Sequence, residues 1–204
     1  GDGGTTDIGF QCLSGMFERN DDVLYICYDN QGYMNTGVQR SSATPPAART
    51  ATTMAVGSAP GNVFGTGKNV PLIAMAHHIP YVATASVANL RDLESKVMRA
   101  MKIEGARYIH IHVPCPLGWG AAPADTIRVA RLAVESGLYP LIEAEHGEIS
   151  SRYVLTVFLL LSPLCALGLC WPQSRRALLP GKLAQRPQAQ GALLLGSLVL
   201  LTLI

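Results

Sequence analysis

Along the first 150 residues, short apolar runs alternate with apolar positions at helical spacing. Residues 7–19 put Ile8, Cys12 and Met16 at i, i+4 and i+8, with Asp7 as a cap at the positive end, which predicts a helix. Asp21 and Asp22 introduce the apolar run 23–28, of the kind buried on both faces of a parallel sheet. Residues 69–79 read as helix and 81–85 as strand; 90–103 read as helix, with Leu93, Val97 and Met101 on one side. A strand at 107–113, a helix at 124–136 and a last strand at 139–145 follow. Strands alternating with helices of this length predict an α/β fold built on a doubly wound, mainly parallel sheet. Ligands bind such sheets at the carboxyl ends of the strands, where Asp29-Asn30 and Pro114-Cys115-Pro116 fall.

Two stretches break the rhythm. Residues 31–68 are rich in Gly, Ser, Thr, Pro and Ala, and a loop of that length inside a compact domain points to function. Residues 151–204 hold 17 leucines against nine in the first 150, with apolar stretches at 154–171 and 192–204. The eighteen residues of the first barely suffice to cross a bilayer and include Pro163; the thirteen of the second are short. A cytoplasmic domain before them would put Arg175, Arg176, Lys182 and Arg186 outside, against the positive-inside tendency. The preferred reading is a domain at 1–150 and, at 151–204, a tail translated from a shifted frame or wrong boundary. A membrane anchor and a divergent soluble tail are the alternatives.

Charge follows the same division. Residues 1–150 carry all 14 acids and 11 of the 16 Lys and Arg, hence −3; residues 151–204 carry five basic groups and no acid, hence +5. The total of +2 implies no nucleic-acid patch. Five cysteines without a C-x-x-C pairing fit a reducing, cytoplasmic compartment better than a disulfide framework. A G-D-G turn normally follows a buried strand, so an opening at Gly1 reads as a fragment truncated at the motif.

The chemistry concentrates at the start. Gly3 and Gly4 let backbone approach an anionic ligand, and Asp2 is a hard oxygen donor. Asn30, a second such donor, arrives twenty-eight residues later at the end of the apolar run. Mg²⁺ takes one or two such protein groups and completes its octahedron with phosphate oxygens and water. A predicted helix starting after the G-D-G turn would aim its positive end at a diphosphate.

G-D-G followed by D-N, with the continuation Tyr33-Met34-Asn35-Thr36-Gly37-Val38-Gln39-Arg40-Ser41-Ser42-Ala43-Thr44-Pro45, resembles the β subunit of 2-oxoacid:ferredoxin oxidoreductases, pyruvate synthase among them. The resemblance covers about residues 1–149. It implies a thiamine diphosphate-binding fold and Asp2, Asn30 and the Gly32 carbonyl as Mg²⁺ ligands. It also implies cofactor contacts from Gly3, Gly4, Met34 and Asn35, with Asn35 reaching the reacting centre as the catalytic residue. Residues 31–68 would cover the cofactor. The segment Pro114-Cys115-Pro116-Leu117-Gly118-Trp119 matches the one that supplies the fourth thiolate of a 4Fe–4S cluster; the other three precede the G-D-G turn, so the cluster is incomplete in this fragment. The implied activity is oxidative decarboxylation of pyruvate, or its reversal, with electrons passing through the cluster to ferredoxin and the acyl group to coenzyme A. The carboxylate that activates the cofactor comes from a partner, among α, γ and δ subunits, so the chain alone would be inactive. Subunits for phenylglyoxylate, oxalate or branched 2-oxoacids share the motifs, and a non-catalytic cofactor-binding remnant is the reading from another class.

Other motifs carry less. His77-His78 and His110-x-His112 have no carboxylate or cysteine placed to finish a zinc site and read as packed or surface histidines. Residues 61–68 have five residues between glycines, and Asn69 where a phosphate loop needs Ser or Thr. Cys12 and Cys27 read as core.

Overall fold

The computed structural model describes residues 1–150; the expectations for 151–204 lie outside the described residues. In chain order the elements are α1 (Phe10–Arg19), β1 (Leu24–Asp29), α2 (Val70–Ala76), β2 (Tyr81–Ser86), α3 (Leu90–Ala100), β3 (Arg107–His112), α4 (Pro116–Trp119), α5 (Thr126–Glu135), β4 (Glu143–Glu145) and β5 (Glu148–Ile149). The sheet order is β1-β3-β2-β4-β5. The three long strands are parallel, with Leu24, Arg107 and Tyr81 in register. The mainly parallel α/β sheet is thus as expected, and among the described residues no helix is long and apolar enough to cross a membrane.

The core lies on β2 and β3, every residue of which is buried. Tyr81, Ala83, Ala85, Ile109 and Ile111 pack with Ala100 of α3, and Leu93 and Val97 close over them. Alanines along β2 let the helix approach closely. Lys96 is buried on the same helix because its Nζ has partners: the Thr84 carbonyl at 2.9 Å and Asp92 at 2.7 Å. Asn89 and Asn69 cap α3 and α2 by accepting from the third N–H beyond each.

Four expectations are corrected. First, among the described residues β1 lies at one end of the sheet and is not buried on both faces; Cys27 and Asp29 are buried, while Tyr28 is exposed. An apolar run does not encode which strand sits beside it. Second, α1 buries Leu13 and Phe17, not the Ile8, Cys12 and Met16 face: Ile8 is 84% exposed and Cys12 is exposed. Both faces have i, i+4 spacing, and Phe17 meets Tyr108 edge-on at 5.7 Å, so tertiary packing selects between them. Third, Asp7 caps no helix: residues Gly3–Ile8 form a π-helical turn, and its carboxylate faces the long loop instead. On α3, likewise, Met101 is exposed. Fourth, the last strand is short and antiparallel to β2. Pro140 has no N–H for a ladder, and Thr84 holds residues 140–142 through its side chain and backbone; the His146-Gly147 turn then reverses the chain into β5. Cys27 is buried as expected, and burial pushes its thiol up to about 11.

Residues 31–68 contain no helix or strand, yet they are fixed by polar contacts. Asn62 is buried and donates to the carbonyls of Thr44 and Pro45 at 2.9 and 3.1 Å, while accepting from Arg40 at 3.1 Å. The loop closes where Lys68 N–H meets the Ser42 carbonyl at 3.0 Å. Gly67, with φ of +74°, lies so close to that carbonyl that a Cβ would come within 1.9 Å of it. Asp7 ties both ends of the loop to the first turn: it accepts from the Ser42 hydroxyl, from Ser42 N–H at 3.1 Å, from Tyr33 at 3.1 Å and from Lys68 at 3.4 Å.

Burial alone would raise the Asp7 pKa, but the Ser42, Tyr33 and Lys68 contacts outweigh it and hold the carboxyl below its ordinary 3.8. A depressed carboxyl stabilises the fold above the unfolded-state value and ceases to do so as pH falls through the folded one. Asp7→Asn is therefore expected to lower stability at neutral pH by about 1 kcal/mol, given water screening. In melting curves taken across acid pH, the difference from wild type should persist down to the ordinary 3.8 and disappear below it. A difference independent of pH would count against this clamp.

Candidate functional site

The carboxyl end of β1 and the first turn of the chain meet around Asp2. Asp2 is 1% exposed, and among the described residues it forms no ion pair with Lys, Arg or His. Burial raises its pKa; the Ser41 hydroxyl, which donates to Oδ2, opposes that rise, and the nearby Asp29 charge adds to it. With its amide nitrogen turned inward, Asn30 donates to Asp2 Oδ1 at 2.9 Å and to the Gly32 carbonyl at 2.6 Å. With its oxygen inward, the Asn30 side chain stands at those distances from Asp2 Oδ1 and from the Gly32 carbonyl oxygen. Adjacent ligands on a Mg²⁺ octahedron of about 2.1 Å radius stand about 2.9 Å apart. The three groups predicted to share a metal are thus brought together.

Two further contacts shape this turn. Trp119 Nε1 donates to the Asn30 carbonyl at 2.9 Å, and Thr44 donates to the Gln31 carbonyl at 2.7 Å. Asp29, behind the turn, accepts from Gln31 N–H at 2.8 Å and pairs with His110 Nε2 at 2.9 Å.

Met34 and Asn35 line a cavity of about 230 Å³ together with Asn30, Tyr33 and Thr36. Asn35 is exposed there. Met34 is set by packing: its Sδ fills the hollow beside Gly118, where a Cβ would come within 2.1 Å. The two glycines differ. Gly4 is exposed with nothing near its missing Cβ, whereas Gly3 is buried and a Cβ there would strike the Tyr33 ring at 2.3 Å. Gly3 is small for Tyr33, whose hydroxyl donates to the Gly3 carbonyl and to Asp7.

Cys115 lies on the far side of the turn, half-buried in the wall of a second, mostly apolar cavity of about 910 Å³ that also contains Met54, His112, Trp119 and Leu132. Its sulfur accepts from Gly118 N–H at 3.4 Å. Among the described residues no three His, Cys, Asp or Glu side chains gather around it or elsewhere. His112 stacks on Tyr139 at 4.8 Å, and burial lowers its pKa. His77 contacts Ser14 at 3.1 Å, and His78 contacts the His146 carbonyl at 3.0 Å.

Sequence reasoning missed Ser41, the Asp7–Ser42–Lys68 clamp, Trp119 and the Asp29–His110 pair. Ser41, Ser42 and Thr44 stand in the conspicuous run after Tyr33, but nothing in it says which hydroxyl meets which carboxylate.

The family model described as "Thiamine pyrophosphate enzyme, C-terminal TPP binding domain" matches residues 1–111. The chain belongs to this family. Relatives named pyruvate synthase subunit PorB, from Methanothermobacter marburgensis and Methanocaldococcus jannaschii, are 51% and 52% identical over 153 residues, 75% of this chain and 53% and 51% of theirs. A ketoisovalerate oxidoreductase subunit VorB from Pyrococcus abyssi is 51% identical over 153 residues, 72% of this chain and 47% of that one. The chain spans about half the length of the curated relatives it matches. A solved 2-oxoglutarate:ferredoxin oxidoreductase from Magnetococcus marinus, with 2-oxoglutarate, coenzyme A and succinyl-CoA bound, aligns with a TM-score of 0.54 at 20% identity. That alignment covers 84% of this chain and 66% of the other, and shows the shared fold.

In this thiamine pyrophosphate-binding domain a neutral side chain at position 2 relieves the buried charge. Metal-free Asp2→Asn is expected to melt a few degrees above wild type, equivalent to about 1 kcal/mol for a chain of this size. A clearly lower melting point would mean that the Asp2 charge is already compensated within the fold.

Proposed function

We propose that this chain is the β subunit of a 2-oxoacid:ferredoxin oxidoreductase and that residues 1–150 bind thiamine diphosphate with Mg²⁺. The observation that carries the reading is the Asn30 amide, beside the Met34–Asn35 cavity, within 2.9 Å of the Asp2 carboxylate and 2.6 Å of the Gly32 carbonyl. One carboxylate, one amide and one carbonyl are the hard oxygen set that Mg²⁺ accepts, leaving positions for phosphate oxygens. The ion also supplies the positive charge that buried Asp2 lacks. Open backbone at Gly4 leaves room for the diphosphate, and Met34, held by Gly118, supports the cofactor rings.

Thiamine diphosphate, held by these residues, would supply the carbanion chemistry and electron sink that decarboxylation of a 2-oxoacid needs. Asn35, exposed on the cavity wall, donates its amide N–H to an oxygen of the bound 2-oxoacid and so orients the keto carbon. The carboxylate that activates the cofactor is contributed by a partner among the α, γ and δ subunits, ferredoxin accepts the electrons, and coenzyme A takes the acyl group. For iron–sulfur chemistry the described residues fit one thiolate, Cys115, and not a whole cluster. Free thiols at Cys27 and Cys115 suit a cytoplasmic setting.

Pyruvate is the substrate favoured by the PorB relatives; a branched 2-oxoacid is the second reading, since a VorB relative is equally similar. Rates of ferredoxin reduction with pyruvate and with 2-oxoisovalerate distinguish the two.

The site is tested in the purified complex. Thiamine diphosphate with Mg²⁺ at 100 times its Kd should stabilise the subunit by about 2.7 kcal/mol. Asp2→Ala should abolish that gain, and an undiminished gain would refute the site. Cys115→Ser should keep cofactor binding and remove one cluster's iron; full iron content would reject Cys115 as a ligand.

A further inference from the structure

We propose that His110 is a positioning residue for the metal-binding turn, acting through Asp29; this rests on the Mg²⁺ reading above. His110 is buried on β3, opposite Cys27 of β1. Tyr108, two residues earlier on the same face, lies 2.6 Å from His110 Nδ1. A carboxylate can only accept, so the imidazole N–H faces Asp29 and Nδ1 is left to accept from the Tyr108 hydroxyl. The imidazole proton then sits on Nε2 and is given to Asp29 Oδ2 at 2.9 Å. The other oxygen of Asp29 accepts from Gln31 N–H at 2.8 Å.

Gln31 is the reason such support is needed. Its φ of +66° is unusual for a residue with a side chain, and it stands between Asn30, which faces Asp2, and Gly32, whose carbonyl meets the Asn30 amide. If Asp29 swings away, Gln31 loses the hydrogen bond that holds this conformation, and the Gly32 carbonyl turns with it. Without His110, moreover, Asp29 is a buried carboxylate with a single N–H donor, from Gln31. The imidazole keeps one oxygen of Asp29 engaged while the other shapes the turn. No atom of His110 touches the metal point; it acts one hydrogen bond behind it, as carboxylate–histidine pairs do behind other metal ligands.

The test separates positioning from space filling by using two amides. In His110→Gln the amide nitrogen takes the place of Nε2 and keeps the Asp29 contact; in His110→Asn it takes the place of Nδ1 and faces Tyr108, leaving Asp29 unpaired. Mn²⁺ is titrated into the metal-depleted complex with thiamine diphosphate present, and free Mn²⁺ is read by electron paramagnetic resonance. His110→Asn should weaken Mn²⁺ binding about 10- to 100-fold, with His110→Gln staying close to wild type. Equal affinities in the two variants would overturn the proposal. Asp2→Asn runs beside them. If it too leaves Mn²⁺ affinity intact, the metal reading fails; if it alone weakens binding, the relay fails and the site stands. Should His110→Asn not assemble, Tyr108→Phe frees the tautomer at the other end of the chain of hydrogen bonds. It should weaken Mn²⁺ in the same direction by a smaller factor, and unchanged affinity would reject the relay.

Discussion

A carboxylate sealed from water with no cation of the described residues paired to it is the constraint on which the first third of the chain depends. Burying an ion costs several kcal/mol unless charge and hydrogen bonds compensate. Asp2 has the hydrogen bonds, from Ser41 and from the inward-turned Asn30, but not the charge. The segments that supply those bonds come from three separate places: the first turn, the end of β1 and the loop at Ser41. A divalent cation at their junction would turn a costly arrangement into a stable one, so metal binding and ordering of this region are coupled. The proposed chemistry and the local stability then have the same origin.

The long loop answers the same constraint. Apolar packing cannot hold residues 31–68, because they have few large apolar side chains, and several of those, Met54, Val56, Val63 and Phe64, are exposed. The loop relies on buried polar groups that are fully partnered. Asn62 spans Thr44, Pro45 and Arg40, and Asp7 gathers Ser42, Tyr33 and Lys68. Such networks are directional, so they fix hydroxyls and carbonyls to within a hydrogen bond's tolerance. The contact from Tyr33 to the Gly3 carbonyl ties the loop to the turn that carries Asp2, so neither is placed independently.

What was legible in the sequence follows from what is encoded locally. The strands at β2 and β3 and the helices at α2 and α3 follow from local pattern, and they fall close to where that pattern put them. The spacing from Asp2 to Asn30 was legible for another reason: a turn, a helix and a strand of fixed length must bring two donors to the same sheet edge. Which face of α1 is buried was not legible, since Leu13–Phe17 and Ile8–Cys12–Met16 have the same period and only Tyr108, some ninety residues on, decides between them. The position of β1 at one end of the described sheet and the reversal at His146-Gly147 depend on partners in the same non-local way. His110 was read as a packed histidine; that it is packed against Asp29 gives it consequence, and no spacing rule links two residues 81 apart.

The segment from Cys115 to Trp119 connects the two halves of the reading. Cys115 caps a single helical turn, which Pro116 can begin because its missing N–H is one that a first turn leaves unpaired. That turn brings Gly118 N–H to the sulfur, puts the bare face of Gly118 against Met34, and swings the Trp119 indole onto the Asn30 carbonyl. A side chain at 118 would displace Met34, and the indole at 119 reaches the Asn30 carbonyl at 2.9 Å. Five residues therefore hold a thiol on one side and brace both the turn at Asn30 and the Met34 side chain on the other.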